Sequence, residues 1–512
     1  MIGIIPRAYQ NAIFETAKNA NTLVVLPTGL GKTLISLMLS AERLKSFPMQ
    51  KIVFLAPTRP LIEQHFNYFK KHLPELYADL QLFTGEIPAE KRQKIFQTAE
   101  IIFSTPQCIA NDLENYLYNL KDVSLLIMDE AHRCLKNYDY TKVVGHYKEN
   151  ALNKRILGLT ASPGSDTDKI REICRHLDIE AIELRNRDSI DVKPYLQELE
   201  FTKIEVPFPK EFQEIKVLLK RIWDSCVDKL KSYNLLFGPA NKITLLKLQA
   251  QLATRMYQRD FSAMHGISQT ATAIKISHAL ELLETQTLSG LYAYLQGLIK
   301  QANEKKSRAV QNLVKMPDFN AALISLKELR AKKIEHPKIE ELAVLAESQF
   351  NENSNSKIIV FCQFRETAQT IANRLNQIQN IKASIFIGQA KKNNIGFSQK
   401  EQRAVIEKFK NNEINIICAT SIGEEGLDIP EVSAVIFYEP IPSAIRKIQR
   451  AGRTARLKPG KLIILVTKDT KDEIHHYASS ARERKMHKTI DLIQKELKEN
   501  QNHPILDKFK PK

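Results

Sequence analysis

Two series of short, unbroken apolar runs constrain the fold of this 512-residue chain more than any other feature. The first series is TLVVL (22–26), KIVFLA (51–56), EIIFS (100–104), VSLLIM (123–128) and RILGLT (155–160). Apolar runs without polar alternation suit strands covered on both faces, and the helix-length segments between them suit parallel βα crossovers. A second series follows as KIIVF (357–361), ASIFI (383–387), NIICAT (415–420), AVIFYE (434–439) and KLIILVT (461–467). Two parallel sheets are therefore expected, and the length suits roughly three domains.

Between the two series the period changes. Residues 212–236 and 272–305 carry apolar residues at three-and-four spacing with charged faces, which predicts amphipathic helices. Trp223 reads as a core anchor of this helical insertion, and the polar stretch Asn351 to Ser356 reads as a linker. The expected domains are 1–204, 205–345 and 346–512, the last ending in a basic helix.

The net charge of +17, from 75 Lys and Arg against 58 Asp and Glu, makes polyanions plausible partners, although an ordinary basic surface has the same charge. Six cysteines at 108, 134, 174, 226, 362 and 418 form no CxxC pair, so neither a disulfide framework nor a zinc site is expected. The N-terminal MIGIIPRAYQ has no leader pattern, and no apolar run approaches the roughly 20 residues that span a bilayer. The expectation is an intracellular, cytoplasmic protein, nucleoid-associated if prokaryotic, with no membrane or disulfide partner.

Pro27-Thr28-Gly29-Leu30-Gly31-Lys32-Thr33 lies between an apolar strand and a helical run. Glycine lets the backbone turn tightly and aim N–H groups at phosphate oxygens, and the helix N-terminus adds its dipole. Lys32 would reach the β and γ phosphates of ATP and the Thr33 hydroxyl would ligate Mg²⁺. The strict pattern has glycine where this chain has Leu26. Asp129-Glu130-Ala131-His132 follows a strand directly, at the sheet edge where open α/β folds bind ligands. Asp129 suits Mg²⁺ through water, and Glu130 suits a base for the attacking water. Kinases and transporter ATPases share these two elements. Gln449-Arg450-Ala451-Gly452-Arg453-Thr454-Ala455-Arg456 adds closely spaced arginines, whose fixed donors suit a charge-developing phosphoryl transition state.

Together these motifs resemble those of superfamily 2 helicases, with TAS at 160–162 as a further element. The resemblance implies two RecA-like α/β domains with a helical insertion, ATP and Mg²⁺ as cofactors, and ATP-driven movement on nucleic acid. It implies that Gln10 reads adenine with support from Arg7, and that Arg453 and Arg456 act as fingers with Gln449 coupled to the water and His132. Ala455 stands where the family usually has glycine. It further places Gly423 and Asp428 near the nucleotide, and Thr58, Arg59, Thr105, Arg365 and Thr420 on the nucleic-acid strand.

The DEAH quartet, TASPG at 160–164, EEGLDIP at 424–430 and the helical insertion look most like the archaeal Hef and Fanconi-anaemia M branch. That branch is associated with DNA repair on stalled forks and four-way junctions, which implies forked or branched DNA and repair or replication factors as partners. Lys216, Lys220, Arg221, Lys229 and Lys231 would serve a duplex clamp or simply form a solvated face. RERK at 482–485 lacks the aspartate spacing of the nuclease found in many Hef chains, so no nuclease activity is expected. RNA-sensing and Dicer-type helicases share the architecture, leaving duplex RNA as the alternative, and a nucleic-acid clamp without hydrolysis as the non-enzymatic one.

Overall fold

The computed structural model describes residues 4–73, 77–136, 138–257, 262–388, 396–420, 429–441, 454 and 459–502. The first unit runs α1 (Ala8–Asn19), β1 (Thr22–Val25), α2 (Lys32–Ser46), β2 (Lys51–Leu55), α3 (Arg59–His72), β3 (Leu80–Phe83), α4 (Ala89–Thr98), β4 (Ile101–Ser104), α5 (Pro106–Glu114), β5 (Val123–Met128), α6 (Asp139–Asn150), β6 (Ile156–Thr160), α7 (Thr167–His176) and β7 (Ala181–Leu184). The sheet order is β3-β4-β2-β5-β6-β1-β7. Every residue of β1, β4, β5 and β6 is buried, because helices cover both faces.

The next strand, β8 (Leu199–Val206), pairs over its whole length with a strand near the far end of the chain. A helical bundle follows: α8 (Gln213–Ser232), α9 (Lys242–Tyr257), α10 (Ser262–Thr285), α11 (Leu288–Asn303), α12 (Arg308–Leu313) and α13 (Pro317–Ala331). The chain then continues through α14 (Lys338–Glu352), β9 (Ile358–Phe361), α15 (Arg365–Leu375), β10 (Ala383–Phe386), α16 (Gln399–Lys410), β11 (Ile416–Ala419), β12 (Ala434–Phe437), β13 (Gly460–Thr467) and a C-terminal helix, Lys471–Asn502. The second sheet is ordered β10-β11-β9-β12-β13-β8, and all its pairings are parallel.

Strand for strand the two sheets match. β3, β4, β2, β5, β6 and β1 of the first correspond to β10, β11, β9, β12, β13 and β8 of the second. Two RecA-like units with a helical bundle between them in the sequence are therefore present, as expected. The expected boundaries shift. The limit at 204 cuts β8, which hydrogen bonds into the second sheet, so the bundle is inserted after that sheet's first strand. The limit at 345 cuts α14, whose Ile339, Leu342, Ala343 and Ala346 pack in the second unit's core. The predicted helix over 272–305 is broken at Gln286-Thr287, where the Thr287 hydroxyl caps Gly290 N–H at 3.0 Å and Glu335 receives Leu288 and Ser289 N–H.

The C-terminal helix leaves the second unit and packs on the first. Met486, Ile490 and Ile493 are buried in the core containing Leu23, Ile156 and Ile173, and Arg171 pairs with Glu496 at 2.6 Å. At its start, Lys338 and Asp472 form a fully buried ion pair. Lys338 Nζ also donates to the Thr285 and Tyr438 carbonyls, both at 3.0 Å, and Asp472 receives Thr467 N–H at 3.0 Å. Burial pushes the Asp472 carboxyl above its ordinary range, with Lys338 and Thr467 pulling against it. Burial, reinforced by the Lys338 charge, also holds His336 well below the imidazole range, so it is neutral, with its Nε2 3.3 Å from the Glu284 carbonyl. This cluster joins the bundle, β12 and the C-terminal helix.

Removing one member strands a buried charge, whereas replacing both by apolar groups does not. Lys338→Ala is expected to destabilise the second unit by about 3–5 kcal/mol, and Lys338→Met with Asp472→Leu to recover most of it. Urea denaturation followed by far-UV circular dichroism checks both.

Candidate active site

Gly29 and Gly31 both take positive φ, +89° and +80°, in the turn between β1 and α2. Gly31 is the N-cap of α2 and supplies no side-chain cap, and its carbonyl takes Leu34 N–H at 3.0 Å; a helix N-terminus in such a turn suits an anion. Lys32 Nζ reaches back to the Leu26 carbonyl at 2.7 Å, across the mouth of the turn. The departure at Leu26 is thus absorbed as a backbone acceptor, with its side chain fully buried.

The upstream residues lock this turn. Tyr9 Oη and Gln10 Nε2 both donate to the Leu30 carbonyl, at 2.8 and 3.2 Å, and Gln10 Oε1 receives Arg7 N–H at 2.8 Å. Arg7 lies 5.3 Å from the Tyr195 ring centroid and 3.2 Å from Tyr9 Oη. Arg7 and Gln10 are therefore next to the cradle. Gln10 is 3% exposed and fills the space that a Cβ on Gly31 would take, 2.3 Å from its Nε2.

Asp129 directly follows β5 beside the cradle, with its N–H on the Leu55 carbonyl at 2.9 Å and its carbonyl held by Tyr140 Oη at 2.6 Å. His65 Nε2 is 2.8 Å from Asp129 Oδ2, and His65 Nδ1 is 3.5 Å from Thr33 Oγ1. One imidazole thus connects the two oxygens expected to hold Mg²⁺. Burial alone would raise the Asp129 carboxyl, but the His65 hydrogen bond, the His65 and Lys32 charges and the Glu130 N–H outweigh it and keep it below the ordinary range. The donor set fits a hard divalent cation: an ionised carboxylate and a hydroxyl beside an anion cradle.

Glu130 has φ +51°, a left-handed turn that starts the short helix Ala131–Arg133. Its carboxylate is 3.2 Å from His132 Nδ1, which also lies 3.2 Å from Thr160 Oγ1. Ala131 seats against Gly158, where a Cβ would come 3.2 Å from the Ala131 Cβ. The TAS element therefore touches DEAH directly through His132. Ser162 Oγ reaches Met486 Sδ at 2.8 Å, and the C-terminal helix with Pro27, Thr28 and Ala161 lines a cavity of about 260 Å³ beside the cradle.

The expected nucleic-acid residues fall at matching places in the two sheets. Thr58 and Thr105 are N-caps of α3 and α5, after the adjacent strands β2 and β4, and neither side chain caps its helix. Arg365 opens α15 after β9, and Thr420 follows β11, the corresponding adjacent pair. Thr58 Oγ1 is buried with no partner among the described residues. Arg59 instead holds Glu63 at 2.7 Å and also pairs with Glu86, so a phosphate must displace carboxylates to reach it. Glu63 also takes Arg403 of the second unit at 2.8 Å. Gly423, Asp428, Gln449, Arg453 and Arg456 lie outside the described residues. Thr454, between the two arginines, is buried, and its Oγ1 donates to the Val432 carbonyl at 2.7 Å.

Sequence reasoning missed His65 and Tyr140. The signal for His65 was its place on α3, where Ile62, His65 and Phe69 share the buried face, an unusual setting for a histidine. A prediction follows from the Gly31–Gln10 contact. Gly31→Ala is expected to cost about 1–2 kcal/mol by forcing a left-handed alanine and expelling Gln10, and Gln10→Ala made together with it to cost less than the sum. A double-mutant cycle by thermal denaturation checks this.

Among the described residues no helix is long and apolar enough to cross a membrane. The DEAD/DEAH box helicase family matches residues 7–170, the helicase conserved C-terminal domain matches 337–458, and a helical bundle described as that of a putative ATP-dependent RNA helicase matches 211–335. A putative ATP-dependent RNA helicase of Methanocaldococcus jannaschii is 37% identical over 94% of this chain and 60% of its own length. The ATP-dependent DNA helicase mph1 of Neurospora crassa is 32% identical over 91% of this chain and 41% of its own. The Fanconi anemia group M protein homolog of Mus musculus is 31% identical over 99% and 27%. The chain thus spans under two thirds of each of these relatives. The crystal structure of the Pyrococcus furiosus Hef helicase domain aligns with TM-score 0.71 and 40% identity, covering 93% of this chain and 98% of that one. With the glycine-rich turn and the DEAH quartet side by side in the first unit and near-complete cover of a solved helicase domain, this chain belongs to the superfamily 2 DEAH-type helicases, in the branch of Hef, Mph1 and Fanconi anemia group M protein.

Proposed function

We propose that this chain is an ATP-dependent DNA helicase or translocase that acts on branched DNA, such as stalled forks and four-way junctions, in repair. The observation that carries this reading is the duplicated strand edge. Thr58 and Thr105 in the first unit, and Arg365 and Thr420 in the second, follow corresponding adjacent strands, while the cradle and DEAH cluster belong to the first alone. Two grips joined by one hydrolytic cleft make a motor if the cleft opens and closes.

In this reading the N–H groups around Gly29 and Gly31, with Lys32, bind the phosphates, and Thr33 and Asp129 hold Mg²⁺ with His65 fixing the carboxylate. Mg²⁺-bound ATP supplies the γ-phosphate whose transfer to water drives the cycle. Glu130, oriented by His132, takes the proton of the attacking water. Thr160 links that histidine to Ser162 and so to the C-terminal helix, a route by which the nucleotide's state reaches the second unit. Arg453 and Arg456 act from the second unit, and Gln10 with Arg7 selects adenine. Phosphate contacts grip without base preference and weaken with salt.

DNA as partner is supported by the relatives named as DNA helicases, and repair or replication factors are the partners this reading implies. A second reading, duplex RNA, is favoured by the relative named a putative RNA helicase and by the description of the matching bundle.

ATP turnover measured with fork DNA, linear duplex DNA and duplex RNA separates the readings. Strongest stimulation by forks is expected, RNA preference favours the second reading, and no turnover with any of them contradicts both. Lys32→Ala is expected to lower turnover roughly 10²–10³-fold, the loss of one phosphate-stabilising donor. His65→Ala is expected to raise the half-saturating Mg²⁺ concentration about 10-fold or more, and a Mg²⁺ titration at fixed ATP reads it.

A further inference from the structure

The turn joining α8 to α9 carries an aromatic ring into solvent. Leu235 and Leu236 N–H both donate to the Leu230 carbonyl, at 3.0 and 3.2 Å, and Leu236 packs with Leu230, Leu245 and Leu248 in a small core. The next residue, Phe237, is 79% exposed. Gly238, at φ +85°, reverses the chain, and the far side of the turn is tied by Asn241 Oδ1, which receives Ile243 and Thr244 N–H at 3.0 and 2.9 Å. Thr244 Oγ1 also donates to the Pro239 carbonyl at 3.3 Å. Phe237 is thus held in water by a turn anchored on both sides.

A lone exposed apolar side chain is ordinary, but Tyr233, Ile243 and Leu246 on the same turn and adjoining helices are also exposed, at 50%, 66% and 47%. The charge within the turn itself has one sign, although Glu281, Glu284 and Glu439 line the groove beside it. Residues 229–250 contain four lysines and no acidic residue. Lys242 pairs with Glu281 of α10, whereas Lys229, Lys231 and Lys247 form no ion pair among the described residues. An aromatic face among lysines matches a base among phosphates, and stacking of this kind tolerates any base.

Location ties this turn to the motor. Ala240, Asn241 and Ile243 line one wall of a groove of about 770 Å³, and Gln363, Glu439 and Lys471 line the other. Those three follow β9, β12 and β13, so they lie on the edge of the second sheet that carries Arg365 and Thr420. Phe364, next to Gln363, packs against the bundle core.

We propose that Phe237 is a wedge that stacks on the bases exposed at the branch point of nucleic acid gripped by the second unit. The proposal rests on the motor reading above. Lysines of the α8–α9 turn hold the flanking phosphates, and the ring takes the place of the neighbour that a base loses when its duplex ends.

The full chain is tested on a DNA fork carrying 2-aminopurine at the branch point. Binding of the wild type is expected to change the 2-aminopurine emission, Phe237→Trp to retain a change, and Phe237→Ala to lose it. The number of base pairs opened per ATP hydrolysed is expected to fall about 10-fold in Phe237→Ala, as one stacking contact is lost, and to return in Phe237→Trp. Tyr116→Ala, which removes an exposed ring at the end of α5, is the control. A wild type that forks do not stimulate overturns the motor reading and the wedge with it. A fork-stimulated wild type matched by Phe237→Ala in both readouts overturns the wedge alone, and so does a turn that proves to bind a protein partner while fork opening is unaffected.

Discussion

The pairing of β8 with β13 is the constraint on which the rest of the architecture depends. It runs in register from Leu199 with Gly460 to Val206 with Thr467 and gives the second sheet its edge from chain that precedes the bundle. Both ends of the bundle are therefore rooted in the second unit, through β8 on one side and α14 on the other. The buried Lys338–Asp472 pair closes that base, binding the bundle, β12 and the C-terminal helix where no solvent reaches. Where the first unit places its phosphate cradle, after β1, the second places the bundle, after β8. A duplicated scaffold thus carries the glycine-rich turn in one copy and a helical arm in the other.

In the proposed function the same layout separates chemistry from grip. In the first unit Asp129 lies under His65 and Tyr140, with Lys32 close enough to help keep its carboxyl ionised. The edge residues Thr58 and Thr105 are kept out of helix capping, which leaves two helix N-termini open at one rim. The connections between the units include the Glu63–Arg403 pair and the C-terminal helix, seated by Met486 and Ile490. The first is an exposed ion pair and is weak in salt; the second is an apolar seat and is not.

Much of this was legible in the sequence for physical reasons. Strands buried on both faces, such as VSLLIM and KIIVF, have nothing but apolar residues, and they were found to within a residue or two. The edge strand β10 was found as well, as ASIFI, but the edge strands β3, β7 and β8 were not. β3 and β7 are mostly half-buried, and β8 reads LEFTKIEV with charged residues on its open side, so it looked like the end of the first unit. The helix break at Gln286-Thr287 was hidden because its cap is completed by Glu335, nearly fifty residues away. The cradle and DEAH positions followed from local spacing, whereas the roles of His65 and Tyr140 come from contacts across the sheet edge that no local pattern encodes.

In the proposed function the bundle rides with the second unit while the first opens and closes against them. All six native cysteines are buried, so single dyes placed by Asn115→Cys, Ser232→Cys and Asn411→Cys in pairs report these distances by single-molecule energy transfer. Fork DNA with a non-hydrolysable ATP analogue and Mg²⁺ is expected to shift the 115–411 distance and to leave the 232–411 distance unchanged. A change in the 232–411 distance with a constant 115–411 distance contradicts this expectation.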